Sequence, residues 1–139
     1  LSAMILGADG VQIGSRFVTT IESSAHASFK RAVVEAKEGD TLLTLKELTP
    51  VRLLKNGFFN KIQEAYTQGA KSEELAKLLG RGRAKKGMFE GDLDQGELEI
   101  GQIAGLIHEI KPAADVVSEI ITELRTAMKE MEDLPKYNF

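Results

Sequence analysis

The sequence contains no cysteine, so disulfide frameworks and thiolate metal sites are excluded. It has no apolar run near the ~20 residues a membrane-spanning helix needs. No charged segment precedes the short apolar start, which gives no support to a signal peptide. Positive charge is not in excess: 18 basic residues face 21 acidic ones, for a formal net charge of −3. A general nucleic-acid surface would need the opposite balance. No internal repeat or low-complexity stretch is present. These absences point to a reducing, cytoplasmic setting, with no nucleic-acid and no membrane partner.

What remains is a chain of 139 residues, enough for one ordinary domain and its core. The first residue is Leu1, inside the apolar run Leu1-Ser2-Ala3-Met4-Ile5-Leu6. The run reads as the end of a helix capped by Gly7, which suggests truncation. Ala8-Asp9-Gly10 is a short connection, and Val11-Gln12-Ile13-Gly14 reads as a short buried strand. Helix, brief turn, then strand is the αβ step from which parallel sheets are built.

After Thr19, Thr20, Ser23 and Ser24, all candidate caps, helical spacing runs from about Ser24 to Lys37. Thr41 to Leu54 is ambiguous: Thr41 to Leu45 are strand-like, and Pro50 blocks a continuous helix. Asn56-Gly57 marks a turn. Helices are predicted from Phe58 to Thr67 and from Ser72 to Leu79, the latter capped by Ser72 and ended by Gly80. Gly80 to Gly101 is glycine-rich and charged, and reads as an ordered loop or a short helix plus loop. Helix is expected again over Gly101 to Ile110. A last helix begins with Pro112 at its first position and runs to about Met131, followed by a tail, Asp133 to Phe139. A lone parallel-type strand cannot satisfy its own backbone groups, so the sequence reads as part of something larger.

Gly10 to Phe17 is the stretch most suggestive of chemistry. A strand ending in Gly14-Ser15 lets backbone come close to a ligand, with freed N–H groups and a hydroxyl available to an anion. On the residues alone, a strand simply turning into a helix explains it as well. Several other features have plain structural readings. His26 suits capping or packing at a helix start, and His108 a position near a helix end. Arg81, Arg83, Lys85 and Lys86 form a basic cluster that suits a solvated loop, or steering of a phosphorylated cofactor or carrier protein. Glu90, Asp92, Asp94, Glu97 and Glu99 form a carboxylate run without the ligand positions of a calcium loop.

Leu6-Gly7-Ala8-Asp9-Gly10-Val11-Gln12-Ile13-Gly14-Ser15-Arg16-Phe17 resembles the eighth-strand motif of the nitronate monooxygenase (2-nitropropane dioxygenase) family, which includes the FMN-dependent enoyl-ACP reductase II. The family usually has Thr where Ser15 stands. Glu22-Ser23-Ser24-Ala25-His26 is similar to the segment that follows. Glu90 to Gly96 resembles a later acidic segment, and Gly101-Gln102-Ile103-Ala104-Gly105-Leu106-Ile107 resembles the late Gly-Gln-x-Ala-Gly motif.

The resemblance implies an α/β fold: the C-terminal fragment of an FMN-binding (β/α)8 TIM barrel plus a mostly helical C-terminal segment, predominantly α-helical in itself. Residues 1–37 would hold the last barrel strand and flanking helices. Residues 38–139 would form the helical segment, with a glycine-rich charged loop at about 80–101. Gln12, Ile13, Gly14 and Ser15 would line the FMN phosphate, and Gln102 would lie near the flavin or the substrate mouth. For Gln102, capping of loop backbone is an equal alternative. The implied activity is oxidative denitrification of alkyl nitronates with oxygen. The alternatives are flavin-dependent enoyl-ACP reduction with NAD(P)H as electron donor, and a non-enzymatic helical interaction domain. The implied partner is a small-molecule substrate, nitronate or enoyl thioester, with a homo-oligomer left open. Catalytic residues would lie upstream, none of them in these residues and none a metal ligand, leaving the 139 residues inactive alone.

Overall fold

A computed structural model of the chain describes residues 1–132. Its helices are α1 (Ser2–Ile5), α2 (Ser15–Val18), α3 (Ala27–Glu35), α4 (Gly57–Thr67), α5 (Ser72–Leu79) and α6 (Ala113–Glu132). A π-helical turn covers Lys85–Phe89 and a 3-10 helix covers Gln102–Leu106. The strands β1 (Thr41–Thr44) and β2 (Val51–Leu54) pair antiparallel, with Thr41 opposite Leu54 and Thr44 opposite Val51. The ambiguous 41–54 stretch is therefore a hairpin.

Successive strand residues point to opposite faces. On β2 this places Leu53 in one hydrophobic cluster and Leu54 in another. Leu53 packs with Leu45, Phe58, Phe59, Ile62 and Leu75, under α4 and α5. Leu54 packs with Phe29, Val33 and Ala36 of the α3 region and with Leu98, Ile100, Ala104 and Ile107. Residues Leu98 to Ile100 run beside β2: the Leu54 amide donates to the Leu98 carbonyl at 2.9 Å, and the Ile100 amide to the Arg52 carbonyl at 3.2 Å. The hairpin is thus the partition between two small cores. Helix α3 shares its core with residues 98–107.

Three helices follow the sequence periodicity closely. In α4 the Asn56 carboxamide oxygen accepts from the Phe59 amide at 2.8 Å, and Phe58, Phe59 and Ile62 form the buried stripe. Ser72 is the first residue of α5 rather than its cap. The capping is done by the Glu74 carboxylate, which accepts from the Lys71 amide at 2.8 Å. Gly80 ends α5 with φ +65°, as the sequence suggests. Helix α6 begins one residue after Pro112, whose carbonyl accepts from the Asp115 and Val116 amides.

Three expectations are corrected. Val11 to Gly14 form no strand: the backbone is irregular, and Val11 and Ile13 are exposed. A strand exists only where a neighbour satisfies its ladder, and the described residues place none beside it. Gly101 to Ile110 are not a full helix. Only the 3-10 turn forms, because Gly105 lies flat on backbone atoms of Lys37 and Glu38, where an added Cβ would come within 3.1 Å. His108 consequently lies beyond that turn, exposed and at no helix end. The predicted tail, 133–139, lies outside the described residues.

Candidate functional site

The turn that carries the ligand-binding expectation begins at Gly14, the residue preceding α2. Within α2, Arg16 donates to the Thr19 hydroxyl at 2.8 Å, and Thr19 and Thr20 are buried beneath it. The next segment is held by Lys30, whose ammonium is buried and donates to three backbone carbonyls: Thr20 at 2.7 Å, Ile21 at 3.2 Å and Ser23 at 2.7 Å. A buried ammonium has three hydrogens to place, and here each finds an acceptor. The corner so fixed also anchors α6. The Ile21 amide donates to the Lys111 carbonyl, and the Glu22 carboxylate accepts from the Ala113 amide at 2.8 Å.

Ser15 reaches across the fold. Its hydroxyl oxygen accepts from the Gly101 amide at 2.9 Å, joining residues 86 positions apart. The cleft there, of about 430 Å³, is lined by Gly14, Ser15, Pro50, Arg52, Glu99 and Gly101 among others. A second hollow, of about 520 Å³, is lined by Gln102 together with Glu38, Gly39, Ile103, Gly105 and Leu106. The structure therefore brings Gly14 and Ser15 together with the start of the Gly-Gln-x-Ala-Gly run. Gln12 and Ile13 stand exposed just before the first cleft, and Gln102 opens onto the second hollow.

The other sequence candidates have structural duties. The His26 ring nitrogen Nδ1 accepts from the Ser28 amide at 3.2 Å and caps α3, as the capping reading holds. Gly91, with φ +83°, lies so close to that ring that a Cβ would sit 2.3 Å from Nδ1. Within the basic cluster, Arg83 is half-buried and tied down rather than a freely solvated loop residue. Its guanidinium donates to the Leu78, Leu79 and Gln95 carbonyls and stacks 4.3 Å over the Phe58 ring. Lys85 and Lys86 pair with Glu90 at 3.2 Å and Asp92 at 2.9 Å.

The acidic segment is an ordered turn. The Asp92 carboxylate accepts from the Gln95 and Asp94 amides, and these bonds, with Lys86, hold its pKa below the usual carboxylate range. Burial, with the charge of Glu99 added, pushes Glu97 up to about 6, while Arg83 opposes the shift. Lys30 was not singled out in the sequence, and Arg83 only as one of a basic cluster; nothing in the spacing of either marks the carbonyls it serves.

Comparison with known proteins gives the family. The family model for nitronate monooxygenase matches residues 1–123. A probable nitronate monooxygenase of Staphylococcus saprophyticus is 28% identical over 130 residues, covering 92% of this chain and 36% of that protein. One from Bacillus subtilis is 35% identical over 111 residues, covering 78% of this chain and 32% of that protein. Among solved structures, FabK from Thermotoga maritima superposes with a TM-score of 0.84 at 36% identity, covering 94% of this chain and 42% of that one. The chain spans about a third of the length of the curated relatives it matches. With the model aligned across both glycine motifs and the backbone matched over nearly every residue, the chain belongs to the nitronate monooxygenase family.

Proposed function

We propose that this chain works as part of an FMN-dependent oxidoreductase that oxidatively denitrifies alkyl nitronates with oxygen. The match of the family model across residues 1–123 carries the reading. The barrel expected around it belongs to the same proposal, as does a cytoplasmic setting. Among the described residues no helix is long and apolar enough to cross a membrane.

Gly14 and Ser15 fit a phosphoryl group on two counts. A Cβ built at Gly14 meets nothing within 4 Å, so the turn is open on the side a ligand would approach. Ser15 engages Gly101 through its oxygen, which leaves the hydroxyl hydrogen free to donate. Gln12 and Ile13 precede this turn with exposed backbone, and Gln102 stands on the neighbouring hollow, toward the isoalloxazine or the substrate mouth. The flavin would supply the redox chemistry, and the protein supplies binding and orientation. No side chain of this chain is assigned to the chemical step, and these 139 residues alone are expected to be inactive.

A second reading comes from the same resemblance: flavin-dependent reduction of an enoyl thioester with NAD(P)H as electron donor. The deciding experiment uses the full-length protein. It is expected to be purified yellow, or to take up added FMN, and to consume oxygen when given an alkyl nitronate. A colourless protein that binds no FMN would remove the flavoenzyme reading. NAD(P)H-dependent reduction of a crotonyl thioester, without nitronate oxidation, would select the second.

A further inference from the structure

We infer that the loop from Thr44 to Thr49 is a two-state strap: the hydrogen bond between Tyr66 and Glu47 holds it in a strained form, and release of that bond shifts the wall of the cleft formed by Pro50, Val51 and Arg52.

The strain sits at the start of the loop. Leu45 has φ +52°, the one positive value outside glycine among the described residues. A leucine there crowds its Cβ against the following carbonyl oxygen, so its surroundings must hold it in place. Part of that hold is burial, since Leu45 packs with Leu53, Phe58 and Ile62. The preceding residue is anomalous in a second way. Thr44 is buried and its hydroxyl has no hydrogen-bond partner, alone among the buried side-chain polar atoms of the described residues. A buried hydroxyl so left carries an uncompensated desolvation cost.

The partner it lacks stands beside it. The half-buried Tyr66 reaches the loop from α4 and donates its phenol hydrogen to the Glu47 carboxylate at 2.7 Å. Burial and that bond raise the phenol's pKa, while the Thr44 hydroxyl and the Leu45 amide pull it the other way, which places both against the ring oxygen. The oxygen can still accept, and Thr44 lacks only the alignment. With Glu47 bound the loop is fixed short of it. With Glu47 released, Leu45 leaves the left-handed region and Thr44 closes on Tyr66.

The loop feeds the cleft directly. The Leu48 amide donates to the Leu45 carbonyl at 3.0 Å, so residues 45–48 move as one turn. Pro50, Val51 and Arg52 come next and line the cleft. The Arg52 carbonyl accepts from the Ile100 amide at 3.2 Å, which carries a shift of the loop to Ile100. A left-handed leucine and an unmet buried hydroxyl, side by side at the root of a cleft wall, are the stored strain from which a two-state element is built.

Hydrogen exchange on the full-length protein, with no ligand added, tests the strap at three amides. Leu48 reports on the loop, Ile100 on the cleft wall, and Ile21 on the remote corner at α6. Tyr66→Phe and Glu47→Ala are each expected to speed exchange at Leu48 and Ile100 roughly tenfold, the effect of losing one ordinary hydrogen bond, and to leave Ile21 unchanged. Glu47→Gln should stay near the parent, because its carboxamide oxygen still accepts. Thr44→Val should act in the opposite sense and slow both amides about threefold or more, since the strained form loses its unmet hydroxyl and the relaxed form loses its new bond. Unchanged exchange at Leu48 in both Tyr66→Phe and Glu47→Ala would overturn the strap. A response at Leu48 without one at Ile100 would overturn its link to the cleft. Thr44→Val exchanging as fast as the parent, or faster, would overturn the second state. Should Tyr66→Phe loosen Ile21 as well, the whole fold has weakened, and Glu47→Ala, changed only at an exposed side chain, decides.

Discussion

The Arg83 guanidinium lies 4.3 Å from the centre of the Phe58 ring while its nitrogens donate to the carbonyls of Leu78, Leu79 and Gln95. One side chain thereby ties the C-terminal end of α5 and the acidic turn to the core beneath α4. A planar fork can serve three acceptors and a ring face together, whereas an ammonium on a flexible stem cannot. Arg83→Lys is therefore expected to lower the unfolding free energy by about 1–3 kcal/mol, read by urea denaturation. A change within about 0.5 kcal/mol, the range of an ordinary surface substitution, would show that the clamp contributes nothing.

Lys30 makes a different kind of knot. Lys30 is buried on α3, and its three donors close the backbone corner at Thr20, Ile21 and Ser23. Lys30→Met keeps the apolar stem and strands those carbonyls. We expect a loss of about 2 kcal/mol or more, because an unmet buried acceptor costs its full desolvation. The Ile21 amide, which donates to Lys111 at the start of α6, should lose exchange protection in the same variant. Protection unchanged at Ile21 would mean the corner holds without the ammonium.

Much of the helical framework was legible in the sequence, and the reason is local. Phe58, Phe59 and Ile62 in α4 recur at helical spacing and are buried in the fold as that spacing requires. Gly80 and Pro112 punctuate the chain where backbone chemistry demands it. Val11 to Gly14 read as a strand because their composition is strand-like, but a strand is a property of two chains, and composition reports on one. The 3-10 turn at Gln102–Leu106 was overextended for a similar reason, since the packing of Gly105 on Lys37 and Glu38 is a contact across the sequence. At the candidate site, the sequence singled out Ser15 as a hydroxyl beside a turn. That its oxygen would be taken by Gly101 was not legible, because 86 residues separate them.

Gly14→Val separates binding from folding. At φ −103° and ψ −68° Gly14 needs none of glycine's special freedom, and a Cβ there meets no protein atom within 4 Å. The folded chain should accept the substitution at a cost within about 0.5 kcal/mol. FMN affinity of the full-length protein should fall by about tenfold or more, because the branched side chain fills the space a phosphoryl group would use. Unaltered FMN affinity in a well-folded variant would place the phosphate elsewhere.

Glu97 gives the fold a pH dependence whose sign can be worked out. Burial, with Glu99 reinforcing it, raises its pKa to about 6 from an ordinary 4.5, against the pull of Arg83. Between those values the folded state binds more protons than the unfolded one, so stability falls as pH rises through the window. Its contribution is fully present below about 4.5 and gone above about 6. The loss is at most about 2 kcal/mol, since each pKa unit corresponds to 1.36 kcal/mol. Glu97→Gln removes the titration and keeps the shape, so it should be more stable than the parent above pH 6 and should flatten this part of the stability curve. Urea denaturation at intervals across that window measures both effects. A parent whose stability rises with pH through the window, in parallel with the variant, would show that Glu97 is not a carboxylate held against its charge.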